Sequence, residues 1–144
     1  MTQARALVGT WRLVSYEHWA AGEVTYPMGR DARGYISYGP AGWMSCQIMR
    51  AGRPTLASGR WNDGTLDELR AAVGGYLSYA GTYDVDAQRN LVTHHVEVHL
   101  LPNGVGTHLE RRFEVNGNQL TLYTSPGAGS GRPEGGRLTW ERVE

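Results

Sequence analysis

The chain predicts an all-β fold: a closed, eight- to nine-stranded antiparallel barrel with one short helix. Turn signals recur at short intervals, and the segments between them are rich in Val, Thr, Tyr, Trp and Leu. Gly9-x-Trp11 heads the first strand, and Trp140-x-Arg142 closes the last. Such a pair at the two ends of a chain suggests a sheet that meets itself. The Trp11 indole would plug one end and the Arg142 guanidinium would lie across its face, a contact worth roughly 0.5–2 kcal/mol. A small closed barrel has one obvious functional volume, its interior.

Alternation and turn residues place strands near 7–17, 34–39, 43–50, 81–87, 91–101, 108–116, 118–124 and 137–143, with a short extra one near 23–27. Asn116-Gly117 reads as a two-residue hairpin turn of type I′, which needs positive φ at both centres. Asn103-Gly104 is a second turn candidate. The helix begins at Thr65-x-x-Glu68, a capping box in which each side chain takes a backbone N–H of the other end. Leu66, Leu69, Val73 and Leu77 follow at helical spacing, and Gly74-Gly75 weakens the far end. Ser125 to Gly136 is a Gly/Pro-rich loop. Its Gly127-Ala128-Gly129-Ser130-Gly131-Arg132 stretch imitates a phosphate loop but leads into a strand rather than a helix.

Composition narrows the functions available. The 144 residues make one domain, 1–144, large enough for a real core. Net charge is zero, so no nucleic-acid footprint exists. All fourteen basic residues are arginine. Schiff-base and lysine-base mechanisms are therefore excluded. Cys46 is the single cysteine, which rules out an internal disulfide and a cysteine metal cluster. No apolar run approaches a membrane span, the first residues lack a signal-peptide core, and a cytoplasmic protein is expected. Oligomeric state is not written in the sequence; a homodimer is the commonest assembly.

Strand alternation then sorts the side chains. Trp11, Leu13 and Ser15 share an inward face. Val92, His94, Val96, Val98 and Leu100 form another, opposite Thr93, His95, Glu97 and His99. Leu109, Arg111, Phe113 and Val115 form a third. Polar residues interrupt these apolar faces at His94 and Arg111, and Tyr83 is a third inward candidate. Either they form a working floor, with Arg111 binding a carboxylate or enolate while His94 and Tyr83 exchange protons, or they are an internal network holding strands in register. His94 and His95 point to opposite faces, so only one can serve the cavity; His94 is favoured. Tyr79, Tyr38, Trp43 and Phe113 offer aromatic wall, Met44 apolar wall, and Ser45 and Gln47 pocket hydrogen bonds. Cys46 reads as a buried filler. His95-x-Glu97-x-His99, with His108, has metal-ligand chemistry, but i and i+4 lie about 13 Å apart along a strand, and no metal is expected.

Leu7-Val8-Gly9-Thr10-Trp11-Arg12-Leu13, Met44-Ser45 with Met49-Arg50 and Arg53-Pro54, Tyr79-x-Gly81-Thr82-Tyr83, Val92-Thr93-His94-His95-Val96-Glu97, Pro102-Asn103, Gly106, Arg112-Phe113 and Leu138-x-Trp140-Glu141-Arg142 together resemble the bacterial and fungal lipocalin-like domain family. The resemblance covers nearly the whole chain. It implies a compact calycin-type barrel with an internal cavity. It implies little about activity, since most members have none assigned, although some occur with natural-product biosynthesis enzymes. One departure is Gly104, where the family often carries a bulky aromatic after Pro-Asn; His99 is also unusual.

The function expected is binding of a small, largely apolar or aromatic organic molecule in the interior, with cofactor-free acid/base chemistry of cyclase or isomerase type. Arg111, His94 and Tyr83 would be the catalytic groups. The alternative is a non-catalytic carrier with the same cavity, and a third reading is a barrel whose interior is filled. A ligand site should offer roughly 300 Å³ or more.

Overall fold

The computed structural model describes residues 3–124 and 135–144. Among these, nine strands run in chain order: β1 (Gly9–Ala20), β2 (Glu23–Thr25), β3 (Arg33–Tyr38), β4 (Trp43–Met49), β5 (Tyr76–Asp86), β6 (Leu91–His99), β7 (His108–Asn116), β8 (Gln119–Tyr123) and β9 (Gly135–Arg142). Helix α1 spans Gln3–Leu7, helix α2 Leu66–Gly74, and a single 3-10 turn Pro102–Gly104. The sheet order is β2-β1-β3-β4-β5-β6-β7-β8-β9, every described pairing is antiparallel, and β1 also pairs with β9. Eight strands thus close a barrel, and β2 is an extra ribbon on the far half of β1.

The closed pole is built from both ends of the chain. Trp11 and Leu7 are fully buried. The Trp11 indole N–H donates to the Leu7 carbonyl at 3.0 Å. The Arg142 guanidinium lies 4.1 Å from the Trp11 ring centre and donates to the carbonyls of Val8 and Ala6 at 2.9 and 2.6 Å. The first strand was expected from position 7, but residues up to Leu7 are helical instead. The reason is visible in those bonds: carbonyls left over at a helix C-terminus take the indole and guanidinium donors.

Two β-bulges shift the alternation. In β1, Leu13 pairs with Trp140 and Ser15 with Thr139, so Val14 is the extra residue. Beyond it Tyr16, not Ser15, faces inward, opposite Leu138. In β6, Gly81 faces Val96 and Ala80 faces Val98, so Glu97 is extra. The expected inward residues Val98 and Leu100 are consequently exposed, Val98 to 62%. His99 turns inward instead and stacks on Tyr79, with centroids 5.7 Å apart and planes at 7°. Gly81 permits this kink, because a Cβ there would collide with the His95 carbonyl.

The capping box of α2 forms as expected. Glu68 N–H donates to Thr65 Oγ1 at 3.2 Å, and the Glu68 carboxylate accepts from the Thr65 N–H at 2.8 Å. The helix stops sooner than the Leu66–Leu77 spacing suggests. Gly75 caps it by donating to the Ala71 carbonyl at 3.1 Å, and β5 begins at Tyr76. Leu77 is therefore a strand residue. The hairpin joining β7 and β8 centres on Gly117-Asn118, one residue later than expected. Only Gly117 has a left-handed φ, 60°, as the first centre of a type II′ turn requires. The glycine-rich 125–134 stretch, with the phosphate-loop imitation, lies outside the described residues.

The core fills the closed half of the barrel. Trp11, Tyr38, Phe113, Leu7 and Leu120 are among the largest fully buried side chains, and the equally buried Trp140 and Ile36 border a cavity. An eight-stranded barrel is just wide enough for its side chains to fill or to hold one small ligand. Here the closed half is filled, so a site has to lie toward the opposite end.

Candidate functional site

A cavity of about 60 Å³, partly open to solvent, occupies the other half of the barrel. Its wall is mostly apolar, from Ile36, Ile48, Leu77, Leu122 and Leu138. Its polar members are Tyr16, Cys46, Tyr79, His94, Arg111, Thr124 and Trp140. The enclosed space is smaller than the roughly 300 Å³ expected of a ligand site, because large side chains, Trp11, Tyr38 and Trp140 among them, are fully buried inside the barrel. It holds a handful of atoms rather than a whole drug-sized molecule.

His94 is the centre of the polar floor. The ring is 1% exposed. Its Nε2 lies 2.6 Å from the Tyr38 hydroxyl and its Nδ1 2.8 Å from the Tyr79 hydroxyl. Burial pushes its pKa down to about 3, helped by the Arg111 charge and by His95. The imidazole is therefore neutral near pH 7, with one donor and one acceptor nitrogen. Tyr38 is sealed and has no other hydroxyl partner among the described residues. Its O–H must donate to Nε2, or it would be a buried donor without acceptor. Nδ1 then carries the proton and donates to the Tyr79 oxygen. The Tyr79 O–H then turns to the Cys46 sulfur, a weak acceptor in the cavity wall.

The other polar groups follow the same pattern. Burial raises the Tyr38 and Tyr79 hydroxyls well above the ordinary tyrosine range. Burial also lifts the Cys46 thiol to about 12 and raises Tyr16, against the pull of Arg111. Arg111 is half-buried beside the buried Val92. Its guanidinium donates to the Glu110 carbonyl at 3.0 Å and has no ion pair among the described residues. The Trp140 indole N–H is buried with no acceptor among them.

The structure brings together some of the expected residues and separates others. His94, Arg111 and Tyr79 share the cavity, and Tyr38 lies directly behind His94. Tyr83 stands apart from the cavity wall. It packs edge-on against Tyr38 at 5.0 Å, and its hydroxyl donates to the Gly39 carbonyl at 2.7 Å, so it does not touch His94 by hydrogen bond. Met44 and Phe113 are buried but lie in the filled half, off the cavity. Ser45, Gln47 and Trp43 face outward, Trp43 at 59% exposed. The cause is strand parity: with Met44, Cys46 and Ile48 inside, 43, 45 and 47 must be outside. Cys46 instead lines the cavity. Tyr16, Leu77 and Thr124 line it without having been expected. Leu77 was read as helical, and Tyr16 was hidden by the bulge at Val14.

His95 faces the outside. Its Nε2 bonds Asp84 Oδ2 at 2.7 Å and its Nδ1 bonds His108 Nδ1 at 2.7 Å. The two contacts engage opposite ring nitrogens, so Asp84 and His108 do not converge on one point. No group able to hold a metal ion is found among the described residues. None of their helices is long and apolar enough to cross a membrane.

A closed eight-stranded antiparallel barrel, sealed at one pole by tryptophan and arginine and hollowed at the other, is a lipocalin-like architecture. The chain belongs to the lipocalin-like domain family, which matches residues 8–143. It is 35% identical over 107 residues to a 4'-hydroxy-3'-methoxypropiophenone carrier protein of Aspergillus oryzae, covering 69% of this chain and 96% of that one. Among solved structures it is similar to a lipocalin-like protein from Bacteroides uniformis, at 15% identity and a TM-score of 0.49, over 96% of this chain and 99% of the other. It is also similar to an uncharacterized protein from Bacteroides eggerthii, at 11% identity and a TM-score of 0.48, over 95% and 99%.

Proposed function

We propose that this protein is a non-catalytic carrier of a small, largely apolar organic molecule, held at the open half of the barrel. One observation carries the reading. An apolar-walled cavity is floored by groups held out of proton exchange: His94 has both nitrogens occupied and a pKa near 3, and the tyrosines beside it are raised. General acid/base catalysis works best with groups whose pKa lies near the operating pH. These groups are shifted away from it on both sides. The name of the Aspergillus relative, a carrier of an aryl ketone, supports the same reading. The small enclosed volume adds a condition. A polar head of a few atoms is held inside, and the apolar body extends beyond it through the open side of the cavity.

The cyclase or isomerase reading keeps one observation of its own. Arg111 and the Tyr79 O–H both border the place where an enolate oxygen could develop charge. Native mass spectrometry separates the two. The protein is incubated with extract of the producing cell and, separately, with 4'-hydroxy-3'-methoxypropiophenone. A carrier retains a small molecule and releases it with unchanged mass. A mass change or product pattern that disappears in Arg111→Ala or His94→Ala, while apolar binding persists, favours the enzyme. Failure to retain any small molecule would sink both and leave a filled barrel.

A further inference from the structure

We infer that the cavity selects ligands carrying an oxyanion head, a phenolate or a carboxylate, with Arg111 as its counter-ion and Tyr79 as its hydrogen-bond donor. This rests on the binding reading above and adds the class of ligand. The warrant is an imbalance of donors and acceptors around one small void. Among the described residues no Asp, Glu, Asn or Gln lines the cavity. The one acceptor nitrogen of His94 is used by Tyr38, and its N–H is used by Tyr79. Thr124 Oγ1 already accepts the Gly136 N–H at 2.7 Å, so its remaining proton can be donated inward. What lines the void is a guanidinium without an ion pair among the described residues, the Thr124 hydroxyl, and a Tyr79 hydroxyl whose proton is otherwise given to the weakly accepting Cys46 sulfur.

A second, independent observation points the same way. Trp140 is sealed in the wall of the same cavity, and its indole N–H finds no acceptor among the described residues. Native interiors rarely leave such a donor unsatisfied. A site with surplus donors and a cation repels ammonium ligands and gives an alcohol or ether little. It rewards an oxygen that only accepts and carries charge, because a charge-assisted bond is roughly twice as strong as a neutral one. A guanidinium at a partly dry site also holds an anion more firmly than one in bulk water does.

The test uses 4-nitrophenol, whose phenol and phenolate forms absorb at different wavelengths, and 4-nitroanisole, its uncharged analogue of similar shape. Binding of both to the folded protein is measured by titration between pH 6 and 8.5. The expected result is that nitrophenol binds as phenolate, its apparent pKa falling by about one unit, a tenfold preference. Nitroanisole should bind at least about tenfold more weakly than the phenolate. Arg111→Gln should erase the preference and Arg111→Lys should keep part of it. Tyr79→Phe should reduce it a few-fold. The wild-type comparison of the two probes needs no variant, so a misfolded Arg111 substitution does not blunt the test. Equal binding of both probes, or a preference that survives in a folded Arg111→Gln protein, overturns the oxyanion inference and leaves the carrier reading standing. Binding of neither probe at millimolar concentration overturns the carrier reading and this inference with it.

Discussion

His94 and His95 are neighbours on one strand, and they live in opposite worlds. Each ring is bonded at both nitrogens. His94 sits between two tyrosine hydroxyls inside the barrel. His95 sits between Asp84 and His108 on the outer wall, with the Asp84 side chain 82% exposed. Solvent can replace any partner of the outer pair. Nothing replaces the partners of the inner ring, so its bonds define a proton pattern that reaches the cavity. The lesson is that a shared motif, two adjacent histidines, carries no function until burial assigns one. Parity divides the pair: Val92, His94 and Val96 point in, and Thr93 and His95 point out.

The comparison breaks most sharply under acid. The folded pKa of His94 is about 3, while the unfolded side chain titrates near 6.5. Between those values the unfolded chain binds a proton that the folded chain refuses. Stability is therefore lost as pH falls from about 6.5 toward 3, by up to about 1.4 kcal/mol per pH unit from this one group. Urea midpoints at pH 7, 6, 5 and 4 measure the slope, and His94→Phe should flatten it. At pH 7 the same substitution strands the Tyr38 hydroxyl and should cost about 2–4 kcal/mol.

The two tyrosines sharpen the picture at smaller scale. Tyr38→Phe leaves the His94 Nε2 without a donor in a sealed place and should cost about 1–3 kcal/mol. Tyr79→Phe borders the cavity, where water can stand in. Its cost should be nearer 1 kcal/mol, with its main effect on ligand affinity. A Tyr38→Phe protein as stable as wild type by urea titration would show that the donor assignment around His94 is wrong. On the outer wall, Asp84→Asn or His108→Ala should change stability by less than about 1 kcal/mol, as exposed pairs generally do.

What could be read in advance was whatever local chemistry decides. Trp11 and Arg142 announced closure because a buried indole and a guanidinium need each other's company at a seam. Thr65 and Glu68 announced a helix start because the orphan N–H groups there must be satisfied. His94 and Arg111 announced a polar floor because they break apolar alternation. The bulges at Val14 and Glu97 were illegible for the opposite reason. An extra residue is absorbed by the backbone ladder, and no side-chain pattern marks it. That concealed Tyr16 and exchanged His99 for Val98. Ser45 and Gln47 were a different error. Met44, Cys46 and Ile48 alternate cleanly as apolar residues, and their parity already sent the polar pair outside. The small volume of the cavity was also beyond reach, because it depends on how the large buried side chains pack against one another inside the barrel.

The kink at Glu97 has one more consequence. Loss of the Glu97 codon would remove the extra residue and leave an unbroken one-to-one ladder between β5 and β6. Val98 would still pair with Ala80, and His99 would still pair with Tyr79 and keep its stack on that ring. The seam between β1 and β9, on the other side of the molecule, would be untouched. The residue the strand could lose is the one that bends it, and the side chains that look inward past it would stay the same.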